Sequence, residues 1–235
     1  NNQSYQRTLH DDTRFQLEGA VQSGAKWPAT FVVKPRVDSY KGYTNSFVRL
    51  VTRTNIDNDW NNGIIQALIT VQDWYKIRAL IEALDGSDFN YPDMDCYERP
   101  FGRDRKPSKE PVLTAKVKIG TRDGRVYLSV VDMVKPERVK IPFFFGTPYA
   151  RTPFTTMGEK GDFALSKAAA LGWHDALSML LPEGFAEEFR KAQAKDAQGG
   201  GNDNYQGGGG QSSGNTGGGS SNHDNGADLD DDLPF

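Results

Sequence analysis

The sequence predicts a mainly β fold with α-helical additions (α+β), followed by a disordered tail rich in glycine. Apolar and polar residues alternate in several short segments of the first two thirds of the chain, which is typical of strands with one buried face. Helical patterns follow these segments. From residue 198 onward Gly, Asn, Ser and Gln replace almost all apolar residues, and such a composition cannot offset the entropy lost on ordering a backbone.

The earliest strands are predicted at residues 31–37 and 47–53, and a further strand at 65–71. A helix from Trp74 to Leu84 follows, because Asp73 is placed to cap its start and Asp85-Gly86 to end it. A helix that begins earlier, near Gly63, stays open as an alternative.

The clearest element is a hairpin between residues 112 and 134, in which Asp123-Gly124 forms a two-residue turn. This turn fixes a register in which apolar residues face apolar residues, since one side-chain face is buried. The predicted pairs are Arg122 with Arg125, Val117 with Val130, Ile119 with Leu128, and Lys118 with Ser129.

Two helices are predicted at residues 164–181 and 183–195, separated by Pro182, which removes a helical hydrogen bond. Several short strands with one helix between them fit a small antiparallel barrel of the OB type better than an alternating β-α sheet. The predicted organisation is an OB-like domain with a helical extension over 1–197, a disordered linker over 198–226, and an acidic tip over 227–235.

Charge is distributed unevenly along the chain. Six of the 31 acidic residues and none of the 28 basic residues lie in 198–235. A body with a formal charge of +3 therefore carries a tail with a charge of −6, and the body is expected to attract a polyanion. The single cysteine, Cys96, excludes an intrachain disulfide and favours a reducing cytoplasm. No apolar run approaches the roughly 20 residues of a membrane span, so no membrane association is expected.

Binding of single-stranded nucleic acid requires cations along a groove and aromatic faces on which bases stack. The polar faces of the predicted strands and two loops supply both, although any one of these residues alone is as well explained by a solvated surface or by core packing. The candidates are Lys34, Arg36, Tyr40, Tyr43, Phe47, Arg49, Arg53, Arg99, Phe101, Arg103, Arg105, Lys106, Lys116, Lys118, Arg125 and Tyr127.

No catalytic motif, metal site or cofactor site is predicted. The three histidines are far apart in sequence, and no phosphate-binding Gly-x-x-x-x-Gly-Lys pattern is present. The one carboxylate cluster that resembles a two-metal nuclease site is Asp93, Asp95 and Glu98. Its flanking prolines favour a polar loop instead.

The last six residues carry the most specific signal, because a terminal Phe offers an apolar group beside an α-carboxylate. They resemble the C-terminal tip of bacterial single-stranded DNA-binding proteins, Asp-Asp-Asp-Ile-Pro-Phe, and differ from it only in one aliphatic residue. The linker is similar to that family's linker, whereas the body resembles the divergent single-stranded DNA-binding proteins of bacteriophages. The tip residues are Asp230, Asp231, Asp232, Leu233, Pro234 and Phe235.

This resemblance implies a protein without enzymatic activity that coats and protects single-stranded DNA during replication, recombination and repair. It also implies that the tip recruits a polymerase, helicase, primase or nuclease, in the bacterial cytoplasm or in a phage-infected host. An annealing or recombination mediator, an RNA-binding protein of the same fold and, less favoured, the nuclease remain alternatives. The oligomeric state is left open.

Overall fold

The structure is a computed structural model that describes residues 15–40, 43–56, 63–99, 108–135, 140–146 and 162–199, with backbone alone at 39, 40, 43 and 195–199. The described strands form two antiparallel sheets. The first sheet contains, in spatial order, β1 (Leu17–Val21), β2 (Pro28–Tyr40), β3 (Tyr43–Arg53) and β4 (Ile64–Thr70). The second sheet contains β5 (Phe89–Asn90), β6 (Met94–Glu98), β7 (Val112–Arg122), β8 (Arg125–Asp132) and β9 (Phe143–Phe144).

The first sheet is a meander in which each strand pairs with the next. Strands β2 and β3 form a long hairpin in which Val33 lies opposite Leu50. Because side chains alternate between the faces of a strand, every second residue enters the core. The buried apolar side chains of this face include Phe31, Val33, Val48, Leu50, Ile65, Ala67 and Ile69.

The second sheet is built around the hairpin β7–β8, and its predicted register is confirmed. Arg122 pairs with Arg125, and the three further predicted pairs are present. The backbone explains why: Asp123 and Gly124 have φ values of 51° and 68°, which is the left-handed geometry of a type I′ turn. Strands β5 and β6 pair with the other edge of β7, and β9 pairs with β8.

Both sheets direct their inner side chains into one apolar core, which the two helices also enter. Phe31 of the first sheet meets Phe143 of the second edge to face, with ring centroids 5.3 Å apart. Phe143 and Phe145 are buried, whereas Phe144 between them is only partly buried and lies on the opposite face. The three consecutive aromatic side chains therefore lie on alternate faces of one strand segment.

The predicted fold class is confirmed at the level of a mainly antiparallel β fold with helices. The two sheets approach each other at β1 and β9, where a Cβ added to Gly19 would lie 2.9 Å from Ile141 Cγ2. Among the described strands, however, the hydrogen-bonded ladders do not close into a barrel.

Helix α1 spans Val71–Ala83 and begins three residues before the predicted start. Thr70, the last residue of β4, is the N-cap, and its hydroxyl accepts a hydrogen bond from the backbone N–H of Asp73 at 3.1 Å. The prediction of Asp73 as the cap is therefore wrong. Asp73 occupies the third helical position, from which its carboxylate accepts a hydrogen bond from the Thr70 hydroxyl.

Helix α2 spans Phe163–Gly199 without interruption, so the two helices predicted on either side of Pro182 are one. Leu181 is buried, and Phe185, one turn later, packs against the same core. Burial of apolar side chains on both sides of the proline offsets its missing hydrogen bond. Neither helix has the length and hydropathy that a membrane span requires within the described residues.

Candidate nucleic-acid interface

The outer face of the first sheet carries five of the predicted DNA-binding residues, which we call the cationic face: Lys34, Arg36, Phe47, Arg49 and Arg53. They alternate along β2 and β3 with residues of the core, so all five project from the same side. The register places Lys34 opposite Arg49 and Arg36 opposite Phe47. Each of the five side chains is partly buried.

Two of the carboxylates that the structure describes share this face with the four cations. The Arg36 Nε donates to Asp38 Oδ1 at 2.8 Å. Glu18 of β1 lies on the same face as Arg53, because Glu18 pairs with Thr30 and Thr30 pairs with Arg53. The Glu18 residue is 7% exposed. Among the residues that the structure describes, four cationic side chains thus share this face with two carboxylates.

The outer face of the second sheet carries four further predicted residues, but two of them are held in ion pairs. Lys116 Nζ lies 3.2 Å from Asp95 Oδ1, and Lys118 Nζ lies 2.8 Å from Asp93 Oδ1. The hydrogen bond to Asp95, together with its charge, raises the pKa of Lys116. These carboxylates offset the charge that β7 would otherwise offer to a polyanion.

The predicted polar loop at Asp93, Asp95 and Glu98 is in large part a strand. Asp95 and Glu98 belong to β6, and Asp95 lies directly opposite Lys116 of β7. The two flanking prolines fall outside the bounds of β6, so they do not interrupt its ladder. Within the described ranges, no group of three or more His, Cys, Asp or Glu is arranged to hold a metal ion.

The remaining two residues of this face, Arg125 and Tyr127, are engaged in aromatic contacts. The Arg125 guanidinium lies over the Phe144 ring at 4.4 Å from its centroid. Tyr127 is 4% exposed, its hydroxyl donates to Asn90 Oδ1, and the Arg122 guanidinium lies 5.5 Å from its ring centroid. Tyr127 therefore offers little open ring surface to a base.

The predicted residues do not gather in one groove. Because both sheets point their inner side chains into a shared core, their outer faces are two separate surfaces. Tyr40 and Tyr43 pair at the turn between β2 and β3, but only their backbone is described. Arg99 is exposed just after β6. Outside the described residues lie Phe101, Arg103, Arg105, Lys106 and the tip residues 230–235.

A concavity of about 440 Å³, which we call the outer pocket, opens on the outer face of the second sheet. Its lining includes residues that the sequence did not single out, chiefly Asn90, Tyr91, Arg122 and Lys140. Arg122 follows Lys116 and Lys118 in the same alternation and could have been found from it. The other three come from two segments, residues 90–91 and residue 140, which only the tertiary structure brings together.

Comparison with models of known protein families, with curated protein sequences and with solved structures found no match for this chain.

Proposed function

We propose that this protein binds single-stranded DNA through the cationic face and that it has no enzymatic activity of its own. The observation that carries the proposal is the strand register that sets Lys34 opposite Arg49 and Arg36 opposite Phe47 on one outer face. Opposed residues on neighbouring strands are about 5 Å apart and alternate residues of one strand nearly 7 Å apart. This spacing supplies closely placed cations beside an aromatic ring, the combination that an unpaired strand requires.

In this proposal the strand is held mainly by its phosphates, and Phe47 provides a surface for one base. Removing an aromatic platform of this kind costs about 1 to 3 kcal/mol of binding free energy per base. The two sheets would represent an open arrangement of the OB type. The approach of β1 to β9 at Gly19 supports that reading, because the barrel of that fold closes by bringing sheet edges together.

The acidic tip, residues 230–235, is proposed to recruit replication and repair proteins such as a polymerase, helicase, primase or nuclease. Its support is the resemblance of the terminal residues to those of bacterial single-stranded DNA-binding proteins. The negatively charged tip would also compete with DNA for the cationic face, because the same positive charges attract both the tip and the DNA phosphates. Function in the bacterial cytoplasm belongs to the same proposal.

The test is fluorescence anisotropy with a labelled oligo-dT and a matched duplex over a range of salt concentrations. We expect preference for the single strand and a linear fall of log affinity with log salt. In a Lys34→Gln/Arg49→Gln variant the slope should become shallower by about 1.4, since each phosphate contact on a single strand contributes about 0.7. Phe47→Leu should weaken binding with little change of slope.

The matched control is Lys76→Gln/Lys191→Gln, which removes the same charge from the exposed surfaces of α1 and α2. It should leave the salt slope within error of the wild type. An equal effect of both double variants would show that net charge alone drives binding and would refute an interface on β2 and β3.

Truncation after residue 227 completes the test by removing the tip. We expect tighter oligo-dT binding at low salt and a difference that shrinks as salt screens the tail. The absence of single-strand binding in both the intact and truncated chains would refute the proposal. The same assay with an RNA oligomer and with complementary strands separates it from the RNA-binding and annealing alternatives.

A further inference from the structure

The outer pocket has a floor of paired strands and two walls from other parts of the chain. Its floor lies on β7 and β8, where Lys118 pairs with Ser129. One wall comes from Asn90 and Tyr91 at the end of β5, and the other from residues 140–142, which precede β9. Ser129 lies between the larger Tyr127 and Val131 on the same face of β8, and its small side chain creates the depression. The volume of the pocket, about 440 Å³, is within the range of small-ligand sites.

The charge of the outer pocket favours an anion. Lys118 Nζ contacts both carboxylate oxygens of Asp93, at 2.8 and 3.0 Å, so this pair is neutral. Arg122 and Lys140 lie in the lining as well, and neither forms an ion pair with another residue that the structure describes. Two cations without an ion-pair partner among the described residues therefore lie beside a neutral floor.

The lining of the outer pocket also offers hydrogen-bond donors and an aromatic residue. Ser129 is 4% exposed, and its hydroxyl is engaged in no hydrogen bond among the described residues. Asn90 accepts from the Tyr127 hydroxyl through its Oδ1, which leaves the amide N–H groups of Asn90 to donate. Tyr91 is partly buried and belongs to the lining, and its ring meets the Phe89 ring edge to face with centroids 4.9 Å apart.

We propose that the outer pocket binds a single nucleotide, with the phosphate at Arg122 and Lys140 and the base against Tyr91 over Ser129. A nucleotide combines the three properties that the lining selects: negative charge, hydrogen-bond acceptors and a planar ring. The pocket and the cationic face lie on different sheets, so binding of a free nucleotide here is independent of the function proposed above, whereas binding of one unit of a strand rests on it. Its ligand is either a free nucleotide or one nucleotide of a bound strand.

The experiment is isothermal titration calorimetry of the full chain with dTMP, AMP, thymidine and inorganic phosphate. We expect both nucleotides to bind at least about tenfold more tightly than thymidine or phosphate, because each fragment lacks half of the contacts. In Arg122→Gln/Lys140→Gln the affinity for nucleotides should fall by about tenfold or more. Ser129→Ala, which removes the hydroxyl without adding bulk, should weaken binding of the nucleotides and leave binding of inorganic phosphate unchanged.

Oligo-dT binding by the same variants identifies the source of the nucleotide. If free nucleotides do not bind but Arg122→Gln/Lys140→Gln weakens oligo-dT beyond the Lys76→Gln/Lys191→Gln control, the pocket holds one unit of a strand. If the pocket variants change neither ligand, or if phosphate alone binds as tightly as dTMP, the inference is overturned. If oligo-dT binding falls in Lys34→Gln/Arg49→Gln but not in the pocket variant, while dTMP still binds the pocket, the ligand of the pocket is a free nucleotide and the DNA-binding proposal stands separately.

Discussion

Replacing Gly120 by alanine should destabilise the protein through a steric conflict at the centre of the second sheet. Gly120 of β7 pairs with Asn90 of β5 on one side and with Tyr127 of β8 on the other. A Cβ at this position would lie 2.6 Å from Asn90 Oδ1 and still closer to the backbone oxygen of Phe89. The side-chain atom can rotate away, whereas the backbone oxygen moves only if β5 shifts.

The expected cost follows from that conflict. Overpacking that forces a backbone shift typically costs about 1 to 3 kcal/mol. For a domain of this size each kcal/mol lowers the melting temperature by about 2 to 4 °C, so the expected decrease is about 2 to 12 °C. Because Asn90 also forms a wall of the outer pocket, the variant should lose nucleotide affinity as well.

The matched control is Gly172→Ala in the exposed face of α2, where an added Cβ meets nothing within 4 Å. Alanine is favoured over glycine in a helix by about 0.5 to 1 kcal/mol, so this variant should be more stable than the wild type. Thermal and urea unfolding followed by circular dichroism measure both changes. A Gly120→Ala protein as stable as the wild type would show that β5 does not cover Gly120.

Three further predictions concern the core. Burial lowers the pKa of His174, so the imidazole resists protonation in the folded protein and the stability should fall as the pH drops below 6.5. Urea unfolding of the wild type and of His174→Gln between pH 7.5 and about 5 should show this dependence in the wild type alone. Burial raises the pKa of Cys96 to about 12, so iodoacetamide at about pH 8 should modify it only in denaturant; rapid reaction of the native protein would contradict its placement. Leu177→Ala should lower the free energy of urea unfolding by about 2 to 5 kcal/mol, because Leu177 is fully buried. Met179 is 77% exposed, so Met179→Ala should change that free energy by less than about 0.5 kcal/mol. Equal effects of the two substitutions would contradict the orientation of α2.

The hairpin register was predictable because its determinants are local. Asp123-Gly124 adopts the left-handed backbone that a two-residue turn needs, and this turn alone aligns Val117 with Val130. The strand alternation that separates Lys34 from the core is equally local, since it needs only the period of two. These signals place individual residues on faces, and the faces agree with the structure.

The helix boundaries were less predictable because they depend on competition between elements. Thr70 and Asp73 are both good caps, and the strand predicted at 65–71 placed Thr70 inside the strand. In the structure β4 ends at Thr70, whose hydroxyl therefore lies at the helix start. Pro182 is a strong local signal for a break, but burial of Leu181 and packing of Phe185 stabilise a continuous helix. Tertiary burial decides these cases.

The candidate site shows the same limit in its electrostatics. Residues 99–151 contain 13 basic and 5 acidic residues, and Lys116 and Lys118 of β7 are among the DNA-binding residues predicted from the sequence. Strand β6 lies outside that segment, yet the structure pairs it with β7 and brings Asp95 to Lys116, while Asp93, just before β6, meets Lys118. A sum of charge along the chain omits carboxylates contributed by a neighbouring strand. For this reason the proposed binding of a polyanion is placed on the cationic face of the first sheet, where the described cations outnumber Asp38 and Glu18, and not on β7.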